Sequence, residues 1–134
     1  MKYKLSWLIE KKVIFAVLET DLETEEFRQF MIQFSEMVGD LEKIYVIMDV
    51  TKISSRMHDI RALGKVYTEH RPSASGFTIL IGGNAVTRFL TQMVLHLVRL
   101  EARFVKDFDE AMAVLYRMDV NLPPITMDIK TLSQ

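Results

Sequence analysis

The sequence contains no cysteine, which excludes disulfide bonds, thiolate nucleophiles and cysteine-based zinc or iron–sulfur sites. It also lacks an excess of either charge, because it contains 17 Lys and Arg residues and 18 Asp and Glu residues. The resulting formal charge of -1 creates no field that would attract nucleic acid or anionic lipid. No run of apolar residues has the length needed to cross a bilayer. We therefore predict no nucleic-acid partner and no membrane insertion.

The opening residues, Met1 to Lys4, lack the continuous apolar segment and small-residue cleavage site of a signal peptide. Together with the absence of cysteine, this favours a cytoplasmic protein. The 134 residues, 49% hydrophobic and 26% charged, have the length and composition of one globular domain. We expect that domain to occupy residues 1–120, with residues 121–134 as a C-terminal tail that begins at Asn121-Leu122-Pro123-Pro124.

Hydrophobic periodicity predicts alternating strands and helices. Strands are expected from alternating or continuous apolar residues, and helices from apolar residues that recur every three or four positions. The predicted strands cover 3–9, 13–18, 44–48, 77–81 and 103–105, and the predicted helices 27–38, 57–67, 85–98 and 108–115. The order β-β-α-β-α-β-α-β-α predicts an α/β fold, with a mainly parallel sheet and an N-terminal antiparallel hairpin.

Two loops at the carboxyl ends of predicted parallel strands are candidate sites, because ligands bind at those ends in open α/β sheets. Asp49-Val50-Thr51 follows one strand, and a polar loop start that caps the next helix is the competing interpretation. Gly82-Gly83-Asn84 follows another strand, where exposed N–H groups and Arg88 could hold an anion. The pattern lacks the residues of a phosphate-binding or dinucleotide-binding motif, so a plain turn and helix cap is the favoured interpretation.

No arrangement of residues indicates catalysis. His58, His70 and His96 have no metal-ligand spacing, and Ser54 and Ser55 lack the flanking glycines of a nucleophile elbow. We therefore predict that the protein is not an enzyme and uses no cofactor or metal.

The helix predicted over residues 85–98 has an apolar stripe wider than a surface helix needs. Leu95, and Leu100 just beyond the helix, lie outside its main stripe. They predict a partner surface, and we expect a homodimer through it.

Three stretches resemble the STAS domain family, in particular its SpoIIAA-like members: residues 45–51 (YVIMDVT), 78–84 (TILIGGN) and 102–111 (ARFVKDFDEA). The first is similar to the family's hydrophobic strand that ends in Asp-Leu-Ser/Thr, and the last to its closing strand and Glu-Ala helix start. The resemblance covers about residues 3 to 119. It implies a domain similar to anti-sigma factor antagonists, which bind a partner protein and are switched by phosphorylation of a serine or threonine.

Carried over to this chain, the resemblance makes Thr51, Ser54 and Ser55 the candidate acceptors of a phosphate. The chain departs from the family's Asp-Ser-Ser/Thr-Gly motif, because Ile53 precedes Ser54 and Arg56 follows Ser55. A phosphate on Ser55 would lie beside Arg56, which could order the loop instead of repelling a partner.

Three functions remain open at this point. The first is a non-enzymatic regulatory module that binds another protein, with the phosphate as a possible switch. The alternative is a carrier of a small apolar ligand or lipid, since SpoIIAA-like folds are similar to lipid-binding Sec14-type domains. An enzyme acting on a phosphorylated metabolite at Gly82-Gly83-Asn84 and Arg88 ranks last, because no base lies beside that pattern.

Overall fold

Five strands and three helices form within the parts of the chain that the computed structural model describes, which are residues 2–20, 22–53, 60–82 and 101–125. In chain order they are β1 Tyr3–Ile9, β2 Val13–Leu18, α1 Thr24–Val38, β3 Lys43–Asp49, α2 Ile60–His70, β4 Ser75–Ile81, β5 Ala102–Val105 and α3 Phe108–Met118. The helix predicted over residues 85–98 lies outside the described residues.

The predicted N-terminal hairpin is confirmed. β1 pairs antiparallel with β2, from Tyr3 opposite Leu18 to Ile9 opposite Val13. The turn between them closes through a hydrogen bond of 3.0 Å from the Lys12 N–H to the Ile9 carbonyl oxygen. Lys11 adopts a positive φ of 61° in this turn.

The rest of the sheet is parallel, as predicted. Its strand order is β1-β2-β3-β4-β5, so every strand lies beside its neighbours in sequence. β2, β3 and β4 are central strands, and their nearly continuous apolar sequences are explained by cover on both faces of the sheet.

One face of the sheet packs against α1 and α2. Phe30 and Met31 of α1 and Val66 of α2 are buried there against Ala16 and Leu80 of the strands. Aromatic rings cluster in this layer. Phe30 stacks with Phe27 and Phe34, and its ring is perpendicular to that of Tyr3, with 5.3 Å between the ring centroids.

The opposite face packs against α3, whose Ala111, Val114 and Leu115 are buried. The alternate residues of the same strands supply the other half of this layer: Val13, Phe15, Val17, Tyr45, Ile47, Ile79, Ile81 and Val105. The period of two along each strand therefore divides the core into two layers, one on each side of the sheet.

Helices α1 and α3 begin at acidic residues. Glu26 accepts a hydrogen bond of 3.0 Å from the Glu23 N–H, and Asp107 accepts one of 2.8 Å from the Glu110 N–H. These carboxylates satisfy amide groups that the first turn of a helix leaves without a partner.

Strand β4 begins earlier than predicted. The strand is predicted from residue 77, but Ser75 and Gly76 already pair with Lys43 and Ile44 of β3. A hydrogen bond of 2.9 Å from the Ser75 N–H to the Glu42 carbonyl oxygen extends the pairing. Serine and glycine are common in loops, but here they extend the strand because β3 presents backbone N–H and C=O groups that need partners.

The residues just after α3 pack on the domain. Leu122, which falls in the predicted tail, is 8% exposed and joins the α3 layer. The Tyr116 hydroxyl donates a hydrogen bond of 2.7 Å to the Pro123 carbonyl oxygen. The domain boundary at residue 120 stays a prediction, but the ordered packing continues past it. Among the described helices, none combines the length and apolar character needed to cross a membrane.

Phe30→Ala is expected to lower the free energy of unfolding by about 3–5 kcal/mol, because it empties the centre of the aromatic layer. Urea denaturation monitored by circular dichroism measures the change. Val120→Ala is the control, since Val120 is 79% exposed and its truncation should change stability by less than about 0.5 kcal/mol. Equal effects of the two substitutions would contradict the assignment of Phe30 to the core.

Candidate functional site at the carboxyl ends of the strands

The four parallel strands end at one edge of the sheet. Val17, Asp49, Ile81 and Val105 form a continuous row, each paired with the next across the sheet. We call the residues that follow this row the carboxyl rim: Leu18, Glu19, residues 50–53, Gly82 and Lys106. The rim therefore brings Thr51 of the first candidate loop and Gly82 of the second to the same edge of the sheet.

Residues 50–53, which we call the rim loop, are held by the sheet and the core. The Val50 N–H donates a hydrogen bond of 3.0 Å to the Ile81 carbonyl oxygen, which extends the β3–β4 pairing by one residue. The Val50 side chain is buried, and Ile53 packs against the α1–α2 layer. An Ile53 N–H bond of 3.2 Å to the Val50 carbonyl oxygen closes the loop.

Asp49 fixes the orientation of Thr51. One oxygen of its carboxylate, Oδ1, accepts hydrogen bonds from the Thr51 N–H at 2.9 Å and from the Thr51 hydroxyl at 2.7 Å. This is the Asx-type turn that an aspartate favours at the start of a loop. The hydroxyl of Thr51 is exposed, but its proton points at Asp49.

Thr51 also lies directly against Gly82. A Cβ atom added to Gly82 would lie 1.9 Å from the Thr51 Cγ2 methyl, far closer than two carbon atoms can approach. Gly82 has a φ of +82°, which residues with a side chain rarely adopt. Two independent constraints thus require glycine at position 82.

Glu19 ties the rim loop to the neighbouring strands. Its carboxylate accepts a hydrogen bond of 2.7 Å from the Lys52 ammonium group. The ammonium group of Lys4, on β1, lies 3.4 Å from the same carboxylate. The hydrogen bond from Lys52 is the main cause that lowers the pKa of Glu19, and the same bond raises the pKa of Lys52. The Glu19 side chain is 22% exposed, against 52% for Lys52 and 41% for Lys4. The two ammonium groups thus face the solvent more than the carboxylate between them.

The structure describes only some of the predicted site residues. Thr51 and Gly82 are described, and they are in contact. The other candidates lie outside the described residues: Ser54, Ser55, Gly83, Asn84, Arg88, Leu95 and Leu100.

Sequence reasoning missed Glu19 and Lys52 as rim residues. Glu19 follows β2 directly, and Lys52 follows β3 by three positions, so both should emerge at the same edge of two adjacent parallel strands. Their opposite charges were the available signal. A local pattern does not show this signal, because the ion pair joins two residues that are 33 positions apart.

At the rim the Thr51 hydroxyl and the ammonium groups of Lys4 and Lys52 lie beside the carboxylates of Asp49 and Glu19, on backbone that the sheet holds in place. Such an arrangement suits recognition of a polar, charged surface. Among the residues that the structure describes, no group of three or more His, Asp or Glu is placed to hold a metal ion.

Comparison with family models gives no match, and neither does a search of curated proteins. A search of known structures does find a similar fold. The anti-sigma factor antagonist SpoIIAA, in its unphosphorylated form, matches with a TM-score of 0.59 and 19% sequence identity. The match covers 89% of this chain and 99% of that one. Similarity at this level of identity shows the fold, and the chain therefore has the SpoIIAA-like α/β fold that its sequence resembles.

Proposed function

We propose that this protein is a non-enzymatic regulatory module of the STAS type, which binds another protein through the carboxyl rim. The observation that carries the proposal is the rim loop itself. It presents Thr51 and Lys52 at the surface, while Val50 and Ile53 anchor it to the sheet and the core. A preformed loop binds a partner without the entropic cost of ordering. The similarity of fold to an anti-sigma factor antagonist supports the same reading.

Phosphorylation of Thr51 is part of this proposal. The Thr51 hydroxyl donates to Asp49 at 2.7 Å, and a phosphate on the same oxygen removes that proton. It also adds about two negative charges beside a carboxylate. The repulsion would push the rim loop away from Asp49, so the phosphate would act as a release signal for the docking surface. Ser54 and Ser55, which follow the rim loop in sequence, remain candidates from the sequence alone.

A cytoplasmic location and a homodimer belong to the same proposal and rest on sequence. Leu95 and Leu100 supply the predicted dimer face. The alternative, a carrier of a small apolar ligand, likewise rests on the fold similarity that the sequence suggested.

Thr51→Arg is expected to weaken binding of the partner at least about ten-fold, because a long charged side chain would replace the hydroxyl at the centre of the rim. The experiment captures proteins from cell extract on the purified chain, then measures the affinity of the purified partner by calorimetry. The matched control is Thr68→Arg, which makes the same change on α2, where Thr68 is also exposed.

Equal binding by both arginine variants would contradict docking at the rim. Native mass spectrometry of the wild-type chain, purified from cells, separates the alternative function. Retention of a small apolar molecule, without any captured protein, would support a carrier and overturn the module.

Thr51→Glu is expected to lower the free energy of unfolding by about 1 kcal/mol, the usual size of one lost side-chain hydrogen bond. The new carboxylate lies beside Asp49 and cannot donate a proton to it. Asp49→Asn in the same chain should restore part of the loss, because the amide carries no charge and offers N–H donors to the glutamate. Urea denaturation of the four chains measures the coupling.

Strict additivity of the two substitutions would contradict the proposed repulsion. The modification itself is tested by incubating the chain with ATP and cell extract, followed by intact-mass measurement and peptide mapping. A chain that stays unmodified at Thr51, Ser54 and Ser55 would remove the switch from the proposal and leave the docking surface.

Stability should fall more steeply with acid in the wild type than in Lys52→Gln. The pKa of Glu19 is lowered in the folded chain from its ordinary value of 4.5, mainly by Lys52. The resulting stabilisation is complete above the ordinary value and disappears as the pH falls through the lowered one. Urea midpoints measured between about pH 5 and pH 3 should show the difference.

Lys65→Gln is the control for this pH experiment. Lys65 also pairs with a glutamate, but at 4.0 Å and with 78% of its side chain exposed. Its removal should leave the wild-type slope unchanged. Parallel curves for the wild type and Lys52→Gln would contradict the role given to Lys52.

A further inference from the structure

Gly82 lies between the rim loop and β5. On one side the Thr51 methyl occupies the space that a Cβ atom of residue 82 would need. On the other side the Gly82 N–H donates a hydrogen bond of 3.0 Å to the Val105 carbonyl oxygen. A movement of Gly82 toward or away from Thr51 therefore changes the geometry of the hydrogen bond between the Gly82 N–H and β5.

The Val105 carbonyl belongs to the same peptide unit as the Lys106 N–H. That N–H lies 3.3 Å from the Glu110 carboxylate, whose own backbone N–H is bound by Asp107 at the start of α3. A peptide unit is planar, so its carbonyl and N–H move together. The peptide that joins residues 105 and 106 thus links Gly82 to the first turn of α3.

The two ends of this chain of contacts lie on opposite faces of the sheet. Ile53 anchors the rim loop in the α1–α2 layer, whereas Ala111 in the first turn of α3 lies in the other layer. The sheet itself separates them. The contacts of Gly82 with Thr51 and with the peptide between Val105 and Lys106 form one route between them.

We infer that the rim loop is mechanically coupled to the N-terminus of α3 through Gly82. Displacement of Thr51 shifts Gly82, alters the hydrogen bond to the Val105 carbonyl and loosens the bond between Lys106 and Glu110. The fold thereby carries a relay from a docking surface on the rim to the helix on the far face of the sheet. The coupling is a property of the isolated chain and does not depend on the proposed function.

Amide hydrogen exchange, followed by nuclear magnetic resonance on the full chain, tests the relay. Gly82→Ala places a methyl group against Thr51 and is expected to accelerate exchange at Lys106 and Glu110 several-fold. Thr51→Ser removes the Cγ2 methyl and keeps the hydroxyl for Asp49. The double variant Gly82→Ala with Thr51→Ser should therefore return both amides toward wild-type exchange, since the 1.9 Å contact is gone and only the tight approaches of 3.1 Å to Cβ and 3.3 Å to Cα of residue 51 remain.

Gly39→Ala is the matched control for backbone strain. Gly39 also has a positive φ, of +56°, but a Cβ atom there would meet only the Glu36 carbonyl oxygen at 3.9 Å. Its substitution should leave Lys106 and Glu110 unchanged. Unchanged exchange at these two amides in Gly82→Ala would overturn the relay. An acceleration that Thr51→Ser does not reverse would also overturn it, because strain at Gly82 alone would then be the cause.

Asp49→Ala supplies a second test that avoids any steric clash, in case Gly82→Ala does not fold. It removes the acceptor that holds Thr51 and leaves the contacts of Val50 and Ile53 in place. The relay requires a change in the amide chemical shifts of Lys106 and Glu110 in this variant. Shifts confined to residues 49–53 would contradict it.

Discussion

The parallel pairing of β2, β3, β4 and β5 is the constraint on which the rest of this structure depends. Because these strands run in one direction and in register, the row Val17, Asp49, Ile81 and Val105 lies along a single edge. Every chain segment that leaves a strand at this edge emerges beside the others. The carboxyl rim is the direct consequence, and polar groups that are far apart in sequence meet there.

The sheet can maintain this pairing because both of its faces are covered. The α1–α2 layer is rich in aromatic rings, whereas aliphatic side chains dominate the α3 layer. Each strand contributes alternate residues to the two layers, so a shift of one residue in register would exchange them. Such a shift would expose the wrong set of side chains on both faces, which is why the register is strongly specified. The positions of the rim residues are therefore fixed as well, because these residues directly follow the strands.

Different interactions hold different parts of the rim. Backbone hydrogen bonds at Val50 and Gly82 continue the sheet beyond its strands and do not depend on charge. The contacts of Glu19 with Lys4 and Lys52, in contrast, are exposed and screened by salt. The rim therefore combines a rigid backbone with a surface layer of charges that pH or modification can alter. This combination fits the proposed switch, which would act on the surface without unfolding the domain.

The sequence by itself determined the order of the described strands and helices, the hairpin and the parallel character of the sheet. These features depend on local periodicity and on side chains a few positions apart, which the sequence displays directly. It also placed Thr51 and Gly82 at strand ends, because each follows a continuous apolar stretch.

Only the tertiary structure decided that Thr51 and Gly82 touch and that Glu19 pairs with Lys52. It likewise decided that Ser75 and Gly76 join β4. The physical reason is the same in each case. These contacts join segments about thirty residues apart, and their distances are set by the register between strands and by the packing of whole layers. The alternation along a strand determines which face each residue occupies. It does not determine which residue of the neighbouring strand lies opposite.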